Sequence, residues 1–343
     1  MAESTFDNRT SAVHKIWEDN RWLYLLMGFS LGVLVVPAMQ MVNSDTIELL
    51  TGLVPEAVGI VFTVLIIERV SHRREVKRRR EETLSRIIRE MRSPDADEGM
   101  KAVYEARERG FLENGALQHA RLERSNLAGV HLSRADLAGT TLRFADLKGA
   151  FLRNACLSGS HLEWAEMNRA DLQGSDLSQS HLYHTILEKA DLEGANLEGA
   201  YLSGAKLFGA NLKTCNMEGA QLNGTDMEST ALMGTNLCGV NLGSANLKFA
   251  NMSGTKLRHA TLMHTNLQCV GLRKADLAGA KLRSVRSQGA SLSEANLRGA
   301  LLDRAKFDEA TVLPDGQFWT PETDLARYTD PTHPDFWQPD WVR

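Results

Sequence analysis

The run ADLEGANLEGAYLSGAKLFG, residues 190–209, decides how this chain folds. Leucine returns every fifth residue, at Leu192, Leu197, Leu202 and Leu207, and alanine stands two places before each. Working outward, the register holds from Leu117 to Val312. Its 40 positions comprise 33 Leu, four Met (Met167, Met217, Met227, Met252), Ser287, and Phe307 and Val312 at the far end. A period of five matches neither a helix, at about 3.6, nor a strand, at about 2. Self-similarity over so many copies means a solenoid, in which no unit buries its own apolar residues and the stack makes the core. One large and one small residue per five implies two inward positions separated by one outward residue. Seventeen of the 27 glycines follow a centre by two places, where a tight corner would use positive φ. No proline occurs from Asp95 to Leu313, as expected of a backbone ladder that needs every N–H.

The units ADLAG, ADLKG, ANLEG, AYLSG and ANLRG resemble the pentapeptide-repeat family, whose consensus is A-(D/N)-L-x-x. The resemblance implies an all-β fold, a right-handed quadrilateral β-helix with four pentapeptides to each coil, so that positions i and i+20 stack. Residues 111–312 would then form about ten coils, a rod of roughly 45–50 Å at about 4.8 Å per coil. The match is specific for fold and says little of function, because one fold hosts many functions.

Before the repeats the composition changes. Residues 1–21 form a polar tail. Residues 22–42, WLYLLMGFSLGVLVVPAMQMV, carry no charge over 21 positions, enough to cross a hydrocarbon core of about 30 Å. Trp22 and Tyr24 sit at one end, where amphipathic rings favour an interface. A cleaved signal peptide is the rival reading, but the leader is long and no small-x-small site follows. A second apolar stretch, 49–67, contains Pro55 and Glu56. Either Glu56 lies inside the bilayer, where an ionisable group is costly and often functional, or the span starts near Val54 and Glu56 marks the interface. Together, residues 22–67 read as a transmembrane α-helical hairpin.

Residues 68–110 are the connecting segment. Glu68 to Arg92 holds ten Lys/Arg against five Asp/Glu, among them Arg73, Arg74, Lys77, Arg78, Arg79 and Arg80. The link between the two apolar stretches has none, so the positive-inside rule puts both termini and the repeats in the cytoplasm. The basic run suits topology determination and contact with anionic lipid head groups. A nucleic-acid patch is the other reading of such a run, and the chain's net charge of −4 gives it no support. Leu84, Ile87, Ile88 and Met91 make one apolar helix stripe, facing either a sister chain or the solenoid. A second helix from about Asp97 to Arg109 offers Met100, Val103 and Tyr104 to cover the first coil, whose edge needs a cap. The junction REMRSPDADEGMKAVYEARERGFLENGAL is similar to the opening segment of a membrane-anchored bacterial subgroup of the family with two transmembrane helices. That similarity implies a multi-pass protein of the bacterial inner membrane. Residues 313–343 hold five of the eight prolines and six aromatics, Phe318, Trp319, Tyr328, Phe336, Trp337 and Trp341, which suggests a tail folded over the far coil edge.

No catalytic or cofactor motif is present, and no cofactor is expected. Cys156, Cys215, Cys238 and Cys269 have no metal or redox spacing and read as reduced and structural, Cys215 as a compact filler of the small inward position. With the coil as a ruler, His161, His181 and Tyr201 fall in one outward column. Phe144, Trp164 and His184 fall in its neighbour, with Tyr183 beside them. An aromatic and histidine patch on a hydrophilic rod marks a partner surface, or else outward side chains that merely support one another along a ladder. Metal binding by His161, His181 and His184 fits the ruler but lacks a carboxylate or thiolate beside it. Ser287 either leaves a packing defect or marks a bend.

The reading that follows is a non-catalytic, membrane-anchored scaffold with an unidentified cytoplasmic protein partner, lipid contacts, no nucleic acid, and room for a homo-oligomer. Two alternatives accompany it. One is the protection of DNA gyrase by DNA mimicry, known in soluble members of the family; the near-balanced charge of residues 111–310 opposes it. The other is an oligomeric channel or transport assembly using Glu56.

Overall fold

A computed structural model describes the backbone of residues 44–342 and the side chains of residues 59–342. The chain divides into two compact units, residues 1–79 and 80–343. Helix α1 spans Ser44–Met91, α2 spans Ala96–Glu108, and a short α3, Ala326–Thr329, lies in the tail. The expected first span, 22–42, lies outside the described residues. The second, 49–67, is helical throughout as part of α1. Among the described residues no helix is long and apolar enough to cross a membrane. The described side chains begin inside the second span, so Glu56 also lies outside them. From residue 60 on, Ile60, Val61, Phe62, Val64, Ile66 and Ile67 are all exposed.

Between them, the caps enclose a right-handed β-helix. Parallel bridges join position i to position i+20, from Arg121↔Thr141 to Arg286↔Lys306, on four faces. Each pentapeptide repeats one hydrogen-bond set. The Leu142 N–H donates up to His161 O (2.7 Å), that of Phe144 up to Glu163 O (3.1 Å), and that of Thr141 down to Ala120 O (2.9 Å). The Ala145 N–H closes the corner onto Leu142 O (3.1 Å). Four of the five N–H groups are thereby satisfied by backbone.

The fifth explains the consensus. The residue after the centre has no backbone acceptor, and the Asp or Asn just before the centre supplies one. Asp146 Oδ1 accepts from the Lys148 N–H (3.0 Å), and Asn251 and Asp176 do the same for residues 253 and 178. These are local Asx turns, which Asp and Asn make and Ala cannot. The small inward slot is filled by Ala, Val or Cys215, or by Ser and Thr, most of whose hydroxyls donate to carbonyls, as Thr140 does to Leu137 O (2.8 Å).

All 38 corner positions from His119 to Arg304 have positive φ, and 21 of them are not glycine. Glycine at Gly219 (φ 67°) is therefore a convenience of the corner; Thr214 (φ 54°) and Trp164 (φ 61°) adopt the same conformation at a cost.

At the first coil, α2 is capped by Asp95, whose side chain accepts from the Asp97 N–H (2.9 Å). It buries Ala102, Val103 and Ala106. Met100 and Tyr104, expected to cover the coil, are exposed, because the face seated there is the one carrying Gly99, Ala102, Val103 and Ala106. The Asn126 N–H donates to Ser93 O (3.1 Å), and Arg107 donates to His131 O (2.6 Å). The stripe at the end of α1 joins the same core: Ile87 and Met91 are fully buried, Leu84 and Ile88 partly.

At the far end the register slips. Ser291 bridges Val312, one position later than the i+20 spacing of the ladder, so Val312 takes the outward slot and Leu313 the buried centre. The expectation that Val312 is an inward centre is corrected by one residue. Thr311 fills the small slot, with its hydroxyl oxygen 3.1 Å from Ser287 O. Ser287 keeps the ladder bond to Lys306 O (2.8 Å), so the chain passes it without a break. The tail then folds back. Phe318 bridges Val312 antiparallel, the Gly299 N–H donates to Thr329 O (2.7 Å), and Trp341 Nε1 donates to Glu294 O (2.9 Å). Of the six tail aromatics, Tyr328 is buried, and Trp319 and Trp337 pack partly on the core, whereas Phe318 is exposed.

Candidate functional site

One face of the β-helix gathers the expected patch. His161, His181 and Tyr201 occupy successive rungs of a single bridge ladder, so their side chains emerge from the same side one coil apart. The His161 and His181 rings stack with centroids 4.6 Å apart, and Tyr201 lies 5.1 Å beyond His181. Tyr183 leans on Tyr201 at 5.9 Å. In the corner column, Trp164 stacks on His184 at 4.3 Å, and the Arg124 guanidinium lies 5.7 Å above the Phe144 ring. Phe144 and Trp164 are 54% and 52% exposed, high values for large apolar rings. All seven residues predicted from the ruler therefore share one surface. Offset stacking of this kind is favourable beyond the area it buries, so the column is also self-supporting.

The sequence reading passed over two residues at the centre of this surface. Glu163 is nearly buried, and Arg143, one coil below, holds it with two of its guanidinium nitrogens: Nη2 to Oε1 at 2.7 Å and Nε to Oε2 at 3.0 Å. His161 Nδ1 lies 3.3 Å from Glu163 Oε1. Burial pushes the Glu163 carboxyl up, but Arg143, its own backbone N–H and His161 outweigh burial and hold it at about 2. The His181 imidazole is pushed down, by burial first and then by the neighbouring His161, with Glu163 acting the other way. The signal for Arg143–Glu163 was the ruler itself: they stand one coil apart in the column that also holds Tyr183. A hollow of about 530 Å³ is lined by Arg143, Phe144, Glu163, Trp164, His181 and Tyr183.

His161, Glu163 and His181 each offer one donor atom, and the three lie within 4.8 Å of one another. The expected histidine trio differs in one member, since His184 stacks on Trp164 and stands outside this group. The carboxylate missing from the sequence reading is Glu163. Elsewhere on the solenoid, Asn and Asp side chains before the centres serve the fold. Asn216 Nδ2 donates to Asn196 Oδ1 (3.3 Å), and Asn196 Nδ2 donates to Asp176 Oδ1 (3.0 Å), a ladder that Asp ends because it has no hydrogen to give. Cys215 is buried and donates to Leu192 O (2.9 Å), and burial pushes its thiol up to about 12, consistent with a filler.

Among curated proteins, none matches the chain. Solved structures do. HetL from the cyanobacterium Nostoc sp. strain PCC 7120, involved in regulating heterocyst differentiation, is 32% identical. The match covers 64% of this chain and 98% of HetL, with a TM-score of 0.37. QnrB1, a plasmid-mediated fluoroquinolone resistance protein, is 16% identical over 55% of this chain and 87% of its own, with a TM-score of 0.34. A thylakoid-lumen protein of Arabidopsis thaliana is 29% identical over 34% of this chain and 66% of its own, at 0.22. The family model described as pentapeptide repeats matches in eight copies within residues 117–308. With the five-residue burial pattern, the coil-to-coil ladders and that match over more than half its length, the chain belongs to the pentapeptide-repeat family.

Proposed function

We propose that this protein is a non-catalytic scaffold, held at the cytoplasmic face of a bacterial inner membrane, that binds a protein partner through the Phe144–Tyr201 surface. The observation that carries the reading is the exposure of Phe144 and Trp164 beside a stacked histidine and tyrosine column, on a backbone that hydrogen bonds fix at every rung. Large rings in a rigid frame lose little entropy on binding, and such anchors dominate interface energies. The solenoid offers continuous sides and no catalytic constellation is assembled on its described residues, which favours binding over chemistry.

Membrane attachment rests on sequence: an uncharged stretch at 22–42, a second apolar stretch at 49–67, and the basic run after it. Ile60, Val61, Phe62, Val64, Ile66 and Ile67 of α1 are exposed, apolar surface that a lipid contact would cover. Crosslinking in native membranes tests the scaffold: Trp164→Ala should lose the specific partner, and unchanged capture would sink the reading. A reporter fused after Arg343 should be active only in the cytoplasm; activity outside would overturn the orientation.

A further inference from the structure

We infer that His161, Glu163 and His181 form a binding site for one first-row divalent metal ion, with Zn²⁺ the best suited. The inference concerns the same surface as the proposed partner contact but needs no partner to hold.

Geometry comes first. A four-coordinate ion with bonds of about 2.0–2.1 Å keeps its donors about 3.4 Å apart. His161 Nδ1 and Glu163 Oε1 already stand at 3.3 Å. His181 has to close the remainder, within an envelope of 4.8 Å. Both rings are only partly buried, so torsions of the side chains suffice and the backbone need not move. That backbone is fixed on both rungs: the His161 N–H donates to Thr140 O (2.9 Å), the His181 N–H to Ser160 O (2.8 Å), and the Leu162 N–H to His181 O (2.8 Å). A ladder that places two imidazoles one coil apart thus presents a partly assembled donor pair, and rigid elements make more precise sites than loops.

The donor types select the ion. Two imidazoles and one carboxylate suit Zn²⁺, Ni²⁺ and Cu²⁺, whereas Mg²⁺ and Ca²⁺ favour oxygen donors alone. Arg143 is the outer partner. It can keep Glu163 Oε2 while Oε1 turns to the ion, as ligating carboxylates are commonly held from behind. Its positive charge opposes the ion and sets the site below the affinity of a closed structural zinc centre. Three protein donors leave a coordination position open, and the adjoining hollow gives it room for water or for a donor from a bound protein.

The test uses the full chain, freed of metal with a chelator and titrated calorimetrically with Zn²⁺, with Co²⁺ as a coloured probe of coordination. One ion per chain is expected. Glu163→Gln and His181→Ala should each weaken binding at least about tenfold. His184→Ala, His259→Ala and Trp164→Ala should leave it unchanged. No uptake by the unaltered chain, or equal uptake by the His161→Ala, His181→Ala double variant, overturns the site. Circular dichroism of the same samples checks the fold, which these outward side chains do not build. Trp164→Ala separates the two readings: it should keep the metal and lose the partner.

Discussion

Where Asp or Asn precedes an inward centre, it has two tasks. Its carboxamide or carboxylate accepts the one N–H in five that the ladders leave over, and where Asn follows Asn up a face it also donates to the coil below. Asn216 illustrates both: it accepts from the Glu218 N–H (3.4 Å) and donates to Asn196 Oδ1 and to Glu198 Oε2 (3.2 Å). Asn216→Asp keeps the acceptor and loses the donors, and it sets a carboxylate beside Glu198. The variant should lose about 1–2 kcal/mol relative to the parent at neutral pH. Like charges raise the new carboxyl in the folded state above its unfolded value. The folded state is therefore favoured while that group is protonated, and the deficit grows as pH rises through the carboxylate range. Urea midpoints at pH 4 and pH 7 measure it; an equal deficit at both would refute the charge argument. The corners give a second prediction. Gly219→Ala meets no atom within 4 Å, so only its φ of 67° matters, and a loss of about 1 kcal/mol is expected. Thr214→Gly, relieving a β-branched residue at φ 54°, should shift the urea midpoint the other way.

At the scale of elements, the caps decide whether coil edges stay closed. Gly99 sits where α2 meets the first coil, and a Cβ there would lie 2.6 Å from the Asn126 carbonyl oxygen, which is backbone and cannot swing aside. Gly99→Ala should cost about 1–3 kcal/mol by overpacking and unseat α2. Hydrogen exchange reads this directly: the amides of Asn126 and Asp136, bonded to Ser93 O and Leu112 O, should exchange faster than those of Leu197 or Leu202. The far cap turns on Asp308, which accepts from the Gly289 N–H (2.8 Å), the Ala310 N–H (3.2 Å) and the Thr311 hydroxyl (2.9 Å). These bonds, the Gly289 N–H foremost, hold its carboxyl below the usual range. A depressed carboxyl stabilises the fold above the unfolded value and loses that contribution as pH falls through the folded one. The protection factor of the Gly289 amide should therefore fall on acidification below about pH 4, and Asp308→Asn should remove most of that acid dependence. These caps also show what a pattern conveys and what it does not. The inward positions were legible because burial repeats every five residues and nothing interrupts it. The slip between Phe307 and Leu313 was not, because Val312 and Leu313 are adjacent apolar residues and either satisfies a hydrophobic pattern; the antiparallel bridge to Phe318 chooses between them. The exposed Met100 and Tyr104 misled for a related reason, since α2 uses small residues to approach the coil closely.

For the whole molecule, the same arithmetic that revealed the patch offers a way to dismantle it without unfolding anything. Every pentapeptide makes equivalent inward contacts, so removing one pentapeptide keeps Leu and Ala pointing inward and the corner geometry unbroken. What changes is which face each later unit occupies. Deleting residues 170–174, ADLQG, would carry His181, Tyr183, His184 and Tyr201 one quarter-turn away from His161, Glu163 and Trp164. Deleting residues 205–224, four whole pentapeptides, would leave every column of the patch in place and shorten the stack by one coil. Nearest-neighbour coupling in a solenoid predicts that both deletions fold, with stability reduced by roughly a coil's share or by the mismatched columns. Only the single-pentapeptide deletion should abolish Zn²⁺ uptake and partner capture. Arg143 and Glu163 were invisible to motif searches because a whole coil separates them in sequence, and the same coil brings them to 2.7 Å. Should the whole-coil deletion also lose both activities while circular dichroism shows an intact β-helix, residues 205–224 would have to be part of the binding surface, and the patch would extend further up the rod than the stacked rings.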